Sequence, residues 1–422
     1  MFAAGEWVDV AGVEVTGDVR LGIQAPTYGA YTLTHAIDNL ERRDAAALSW
    51  ACPVRLDAFS RATWPAFLVD LLPQGYGRSE LLRRLELPEA AAAEADWPLL
   101  LAGAGNPIGH LRIKEAHEWL IERTGNTPNR GFTFEEIAAR SDDFTELLAS
   151  HGLFVAGSSG VQGEWPKILL TEARDGLLYL DHTLADEQAT RHWLVKFGRG
   201  ADQALADILR LEAPYMLLAR ALGLRVHGDL QLRRRALFVP RFDRQVTPNG
   251  VVRLAQESLA SLCEIAEFGA APLHNAALER IAAAASEPEH EVVEYVKRDV
   301  ANLVLGNKDN HSRNTAIQRT WDGGVRLSPV FDFSAMFLHP DGIARRMRWA
   351  RDDGGAPQWS SVVTQCREAT GLALAQLPAE LRSMAAVIAQ LPALAVAEGV
   401  DADIVTRLQP LMRDVAAQLA SL

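Results

Sequence analysis

The sequence predicts an α+β protein in which strands and helices mix up to about residue 245, and the remainder, from about residue 256, is mainly helical. Three observations carry this. Short apolar runs bounded by Gly, Asp and Asn recur between residues 153 and 244, the pattern of strands and turns. Leu381, Met384, Ile388 and Leu391, and then Ile404, Leu408, Leu411, Val415 and Leu419, recur at helical spacing. Between these regions a helical pattern, a polar loop, a hairpin pattern and an Asp-Phe-Ser triplet follow one another from 286 to 334.

Taken in chain order, Met1-Phe-Ala-Ala-Gly-Glu-Trp-Val-Asp9 lacks the basic start and apolar core of a signal peptide. Residues 153–156 and 167–171 read as strands around Gly157, Gly160 and Gly163. Three glycines there let backbone N–H groups approach an anion. Residues 177–180, after the Asp175-Gly176 turn, and 191–197 continue the strand pattern. Residues 206–222 read as a helix closed by Gly223, with Pro214 predicting a kink or an irregular start. Residues 237–239 read as a buried strand entering the polar turn Arg241-Phe242-Asp243-Arg244. Ser286, with Glu289 three residues on and Pro288 in the first turn, reads as the cap of a helix that Gly306 ends. Residues 315–319 and 325–327 flank the Asp322-Gly323-Gly324 turn as a hairpin.

Composition bounds the function. The 422 residues suffice for two sizeable lobes, and 48% hydrophobic with 23% charged is ordinary for a globular chain. Cys52, Cys263 and Cys366 are too far apart in sequence for a metal motif, and three cysteines in 422 residues fit a reduced, cytoplasmic setting. No uninterrupted apolar run reaches a membrane span, so no membrane partner is expected. A net charge of −12 disfavours direct nucleic-acid binding. Two basic clusters stand against it: Arg233 to Arg235, read as a solvated face, and Arg345, Arg346, Arg348 and Arg351, read equally as solvated face or contact surface.

The chemistry lies in the polar loop and the triplet. Asp309 precedes Asn314 by five residues, and Asp332-Phe333-Ser334 follows the hairpin. In protein kinases a loop Asp orients the attacking hydroxyl, while an Asn five residues on and the Asp of a D-F-G triplet hold Mg²⁺. Asn, Asp, Ser and Gly also crowd ordinary turns. The helix, loop, hairpin and triplet in kinase order favour the catalytic reading here. Such a site needs a strand lysine for ATP phosphates, and Lys196 is placed for it, with Glu212 on the following helix to steady it. Phe242 is the candidate ring against adenine, with core packing as the alternative. Gly157, Ser158, Ser159, Gly160 and Gly163 form the candidate phosphate cover.

These residues resemble the HipA family, kinase toxins of bacterial toxin–antitoxin systems. Gly306-Asn-Lys-Asp-Asn-His-Ser-Arg-Asn314 and Leu327-Ser-Pro-Val-Phe-Asp332 are similar to the family's G-N-x-D-x-H-x-x-N and L-(A/S)-P-x-Y/F-D. Val195-Lys196-Phe197, Arg241-Phe-Asp-Arg244 and Gln256-Glu257 add to the likeness, as do Asp70-Leu-Leu-Pro-Gln-Gly75 and Ile108-Gly-His-Leu111. The resemblance implies a two-lobed kinase-like fold, with an α/β N-terminal lobe at 1–245 (a family subdomain at 1–150, ATP-binding strands at 151–245) and an all-α lobe at 246–422. It implies a Ser/Thr protein kinase using ATP and Mg²⁺. Asp309 would be the catalytic base, His311 its support, Asn314 and Asp332 the metal ligands and Lys196 the phosphate contact. It further implies a protein substrate such as an aminoacyl-tRNA synthetase of the translation machinery, and a DNA-binding antitoxin partner. The chain departs from the family loop S-x-A-G-A-Q-x-K: with Gly160-Val-Gln162 at G-A-Q, Gly157 stands at the serine position, a longer Gly163-Glu-Trp-Pro-Lys167 follows, and Ser158 and Ser159 are the nearest hydroxyls. Pro240 replaces the acidic residue common before R-F-D-R. The competing expectation is a pseudokinase-like binding module. Such a module would have no need to keep Lys196, Asp309, Asn314 and Asp332 together.

Overall fold

The computed structural model describes residues 1–88, 93–124, 129–150, 165–198 and 202–422. Its main sheet has five antiparallel strands in the order Leu178–Leu180, Lys167–Ala173, Ala189–Phe197, Ala236–Pro240 and Gln231–Arg233. The strand Lys167–Ala173 is buried at nearly every position, and Ala189–Phe197 is buried from His192 onward. Continuous apolar sequence therefore sits in the middle of the sheet and mixed sequence at its edge. The register sets Lys167 opposite Lys196. Partners in register share a face, so the two ammonium side chains project side by side.

The helix Gln203–Ala221 follows, capped by Asp202, whose carboxylate accepts the Leu205 N–H at 3.1 Å. It starts regularly and continues as one helix through Pro214, so the irregular start expected there is not seen. One lost N–H bond is outweighed by burial of Leu211, Tyr215, Met216 and Leu218 around it. Two hydrophobic cores result. One takes side chains from Met1 to Phe238, the other from Leu211 to Leu419, and the helix Gln203–Ala221 belongs to the second.

Past residue 255 the chain is helical apart from a three-stranded sheet of Ala255–Ser258, Ala316–Arg319 and Val325–Leu327. Long helices include Pro288–Val304, Leu377–Ala397 and Ala402–Ala420. The second of these is long and apolar enough to cross a membrane by length and composition alone. Here its Leu381, Met384, Ile388 and Leu391 lie in the second core. The helix at 288 starts without the expected serine cap: Glu287 occupies the cap position and makes no side-chain cap bond. Ser286 pairs instead with the hairpin, its N–H donating to the Val325 carbonyl at 2.9 Å and its hydroxyl accepting the Val325 N–H at 2.8 Å. A tertiary partner has displaced the local one.

Arg345 is not part of a solvated basic face. It is buried, with its guanidinium 2.7 Å from Asp299, while Arg348 and Arg351 face Asp353 and Glu368. Other arginines fasten the N-terminal segment to the rest. Arg319 donates to the carbonyls of Arg43, Asp44, Ala47 and Leu48, and lies 3.2 Å from the buried Glu257. Arg244 donates to the carbonyls of Gly109 (2.7 Å) and Pro107 (3.3 Å). The segment carries a small sheet, Ala11–Val15, Thr27–Tyr31 and Phe59–Arg61, and the short helix Ala66–Leu71.

Candidate active site

The helix Pro288–Val304 ends at Gly306, whose φ of +66° a side chain would resist; a Cβ there would meet Phe337 at 2.6 Å. The chain then folds back as the polar loop. The Asn314 N–H donates to the His311 carbonyl at 2.9 Å. The Asn314 amide nitrogen donates to the Asp309 carbonyl (2.9 Å) and approaches the Asp309 Oδ2 (3.3 Å). His311 Nδ1 accepts the Arg313 N–H at 3.2 Å, so the ring proton sits on Nε2, 3.5 Å from Asp309 Oδ1. Burial pushes the Asp309 carboxyl above its ordinary value; nearby His311 opposes this and the charge of Asp332 adds to it.

Asp332 is brought to this loop by the strand Val325–Leu327 and holds a left-handed backbone, φ +53°. Its neighbour Phe333 is buried against Tyr215 of the helix Gln203–Ala221, ring centres 5.9 Å apart. The same helix presents Glu212. Lys196 Nζ donates to Glu212 Oε1 (2.6 Å) and Oε2 (2.7 Å) and to Asp332 Oδ1 (2.6 Å). Burial opposes each charge, but for Asp332 the Lys196 ammonium, then Lys167, outweighs it and holds the carboxyl well below the carboxylate range. For Lys196 the two carboxylates likewise win, and its pKa rises. Burial instead lowers the pKa of Lys167, with Asp332 opposing and Lys196 assisting.

Lys196, Glu212, Asp332 and Asn314 line one cleft, whose empty space with its open mouth is about 1160 Å³. Phe242 lines it too, with its ring 5.8 Å from Phe331 and 6.2 Å from His227. Its neighbours Arg241, Asp243 and Arg244 turn inward. Arg241 grips Asp243 at 2.7 and 2.9 Å and reaches Asp181 at 3.0 Å, and Asp243 also accepts the Gly109 N–H at 2.8 Å. Gly157, Ser158, Ser159, Gly160 and Gly163 lie outside the described residues. Two features had no site role in the sequence reading. Lys167, which ends the segment aligned with the family loop, is a second buried ammonium in the cleft, set beside Lys196 by strand register. The N-terminal segment adds Leu48, Phe67, Asp70, Leu71, Ile108 and Leu111 to the lining.

Among the described residues, no group of three or more His, Cys, Asp or Glu is placed to hold a metal alone. One carboxylate and one amide oxygen suit Mg²⁺, which keeps waters and takes substrate phosphates as further ligands. The donor set therefore fits Mg²⁺ bound together with a nucleotide.

The model of the HipA-like C-terminal domain matches residues 159–396. The chain belongs to this family. A putative kinase, Y4mE of Sinorhizobium fredii (strain NBRC 101917 / NGR234), is 28% identical over 319 residues, 72% of this chain and 71% of that one. Among solved structures, a chain of the Shewanella oneidensis MR-1 complex of HipA, HipB and operator DNA superposes with a TM-score of 0.64 at 17% identity, over 98% of this chain and 99% of that chain. The Helicobacter pylori proinflammatory kinase CtkA aligns more loosely, with a TM-score of 0.36 at 16% identity over 55% of this chain and 89% of that one. The HipA-family chain thus has the α+β, two-lobed kinase-like fold expected of it.

Proposed function

We propose that this HipA-family protein is a Ser/Thr protein kinase that uses ATP and Mg²⁺ and acts as a growth-arresting toxin. The observation that carries the reading is Lys196 bridging Glu212 and Asp332 at 2.6 to 2.7 Å, in the cleft that Asn314 also lines. A strand lysine, a helix glutamate and a loop aspartate joined in this way are the parts that phosphoryl transfer needs. Asp309 accepts the proton of the substrate hydroxyl as that oxygen bonds to the γ-phosphorus, and the bond to the β,γ-bridging oxygen breaks to leave ADP. His311 Nε2 keeps the Asp309 carboxylate oriented. Lys196 and Lys167 bind phosphate oxygens, and Phe242 with Phe331 forms the apolar slot for adenine. Bound Mg²⁺, held by Asn314 and Asp332, supplies charge neutralisation at the phosphates.

The division into lobes at 1–245 and 246–422 belongs to the same reading, with the cleft between them. So do a cytoplasmic setting, a bacterial protein as substrate and a DNA-binding antitoxin as partner. The Shewanella complex and the net charge of −12 support contact with DNA through such a partner rather than directly. The test is transfer of labelled γ-phosphate to the protein itself or to a lysate protein. Asp309→Asn and Asp332→Asn should each lower the rate by roughly a thousandfold or more. Full transfer in both variants would sink the reading. A binding module without catalysis would show no transfer in the wild type either, and no thermal stabilisation at saturating ATP and Mg²⁺.

A further inference from the structure

Asp70 lies 243 residues from its partner Arg313, in a part of the chain with no catalytic motif. It lies in the last turn of the short helix Ala66–Leu71 and lines the cleft. Its Oδ1 accepts from Arg313 Nη1 at 2.7 Å and from the Ser258 hydroxyl at 2.7 Å, and its Oδ2 accepts the Ser258 N–H at 2.8 Å. The Arg313 side chain is 9% exposed and that of Asp70 18%. This pair is therefore screened far less than a surface ion pair.

Both partners of Asp70 hold the catalytic loop. The turn after Ser258 binds the loop's backbone, as the Leu259 N–H donates to the Thr315 carbonyl (2.8 Å) and the Ala260 N–H to the Ser312 carbonyl (3.1 Å). Arg313 sits inside the loop, immediately before Asn314, and its own N–H fixes the His311 ring that faces Asp309. The Arg313 guanidinium also lies over the Phe268 ring at 5.2 Å and reaches the Ile265 carbonyl at 3.4 Å. One carboxylate thus ties together the loop and the turn that cradles it.

We propose that Asp70 is a positioning residue: through Arg313 and Ser258 it fixes the 309–314 loop, so that the N-terminal segment forms part of the catalytic apparatus rather than a separate appendage. The inference rests on the kinase reading above, and its test has an arm that does not.

The variants are Asp70→Asn, which keeps the shape and removes the charge, Arg313→Met, and the double variant. Asp9→Asn serves as a control, because the Asp9–Lys114 pair is exposed at 66% and 60%. In steady-state phosphorylation each single variant should lose about ten- to a hundredfold in kcat, with KM for ATP changed less than about twofold. The double variant should lose no more than the worse single one, since both act through one contact. Amide hydrogen exchange of residues 309–314 should quicken in all three, whether or not the protein transfers phosphate. Exchange unchanged in that loop, or additive losses in kcat, overturns the proposal. So does a loss of kcat that only follows the fraction unfolded in thermal melts. Absence of transfer in the wild type overturns the kinase reading instead, and the exchange arm then decides the role of Asp70.

Discussion

Two clusters of buried charge flank the cleft, and they differ in whether their partners are complete. Around Asp243, every carboxylate oxygen is met from within the protein: Arg241 at two atoms, Arg244, and the Gly109 N–H. Asp181 is likewise met by Arg241, Asn106, Thr171 and His192. Both clusters touch the cleft, and Lys196 and Glu212 are as buried as the first set, but the Asp332 side chain that joins them remains 27% exposed. The first cluster is a strut that binds the N-terminal segment to the strand Ala236–Pro240. On the proposed reading, the second exchanges its partners for a ligand. Burial and a shifted pKa are common to both, so neither distinguishes a working charge from a structural one. An open side does.

The comparison breaks if the two clusters respond alike to mutation. Asp332→Asn should cost a thousandfold or more in transfer rate, about 4 kcal/mol, while melting temperature stays nearly unchanged, because that side chain is 27% exposed. A collapse of the fold in this variant would make that cluster structural too. Asp243→Ala should do the reverse, lowering the unfolding free energy in urea by about 3–5 kcal/mol because it strands two buried guanidinium groups. Nucleotide affinity of the fraction still folded should stay within a few-fold.

A pH experiment sharpens the strut side. His110, in the motif Ile108-Gly-His-Leu111, donates Nε2–H to the Ala45 carbonyl at 2.8 Å and is 1% exposed. Burial, helped by Arg319, pushes its pKa down to about 3. The folded state therefore resists a proton that the unfolded chain accepts below about pH 6.5. Stability from this residue is full above that pH and declines as pH falls toward 3, by about 2 kcal/mol between pH 7 and pH 5. His110→Gln should flatten that part of the urea-stability profile, and an unchanged slope would remove His110 from the account. The smallest effect belongs to Phe242→Ala, which should raise KM for ATP about tenfold, near 1.4 kcal/mol, and leave kcat unaltered.

What the sequence made legible was local. The helix before the loop, the hairpin and both C-terminal helices followed from spacing within about twenty residues. Lys196, Glu212 and Asp332 were singled out from motif order, and the structure places them in contact. Their roles stand as proposals. Lys167 was read only as the end of the loop segment, because its place beside Lys196 depends on pairing with Ala189–Phe197, which no local pattern encodes. Asp70 and Arg313 went unread as a pair for the same reason, on a larger scale. Ser286 was misread because its serine-proline-glutamate neighbourhood satisfies a capping rule, yet the hairpin competes for the same hydroxyl. Pro214 was overweighted because local strain was judged without the packing that surrounds it.

Lys196 has three N–H donors, and all three are engaged: two by Glu212 and one by Asp332. On the proposed reading, a phosphate oxygen on Lys196 competes with Asp332 Oδ1, and a cation on Asp332 Oδ1 competes with Lys196. Each ligand thereby removes the competitor of the other, so the two should bind with positive cooperativity even before they touch. By reciprocity, a divalent cation tightens a polyphosphate by the same factor as the polyphosphate tightens the cation. On the proposed reading the resting ion pair couples the two ligands, and nucleotide titrations with and without Mg²⁺ measure that coupling.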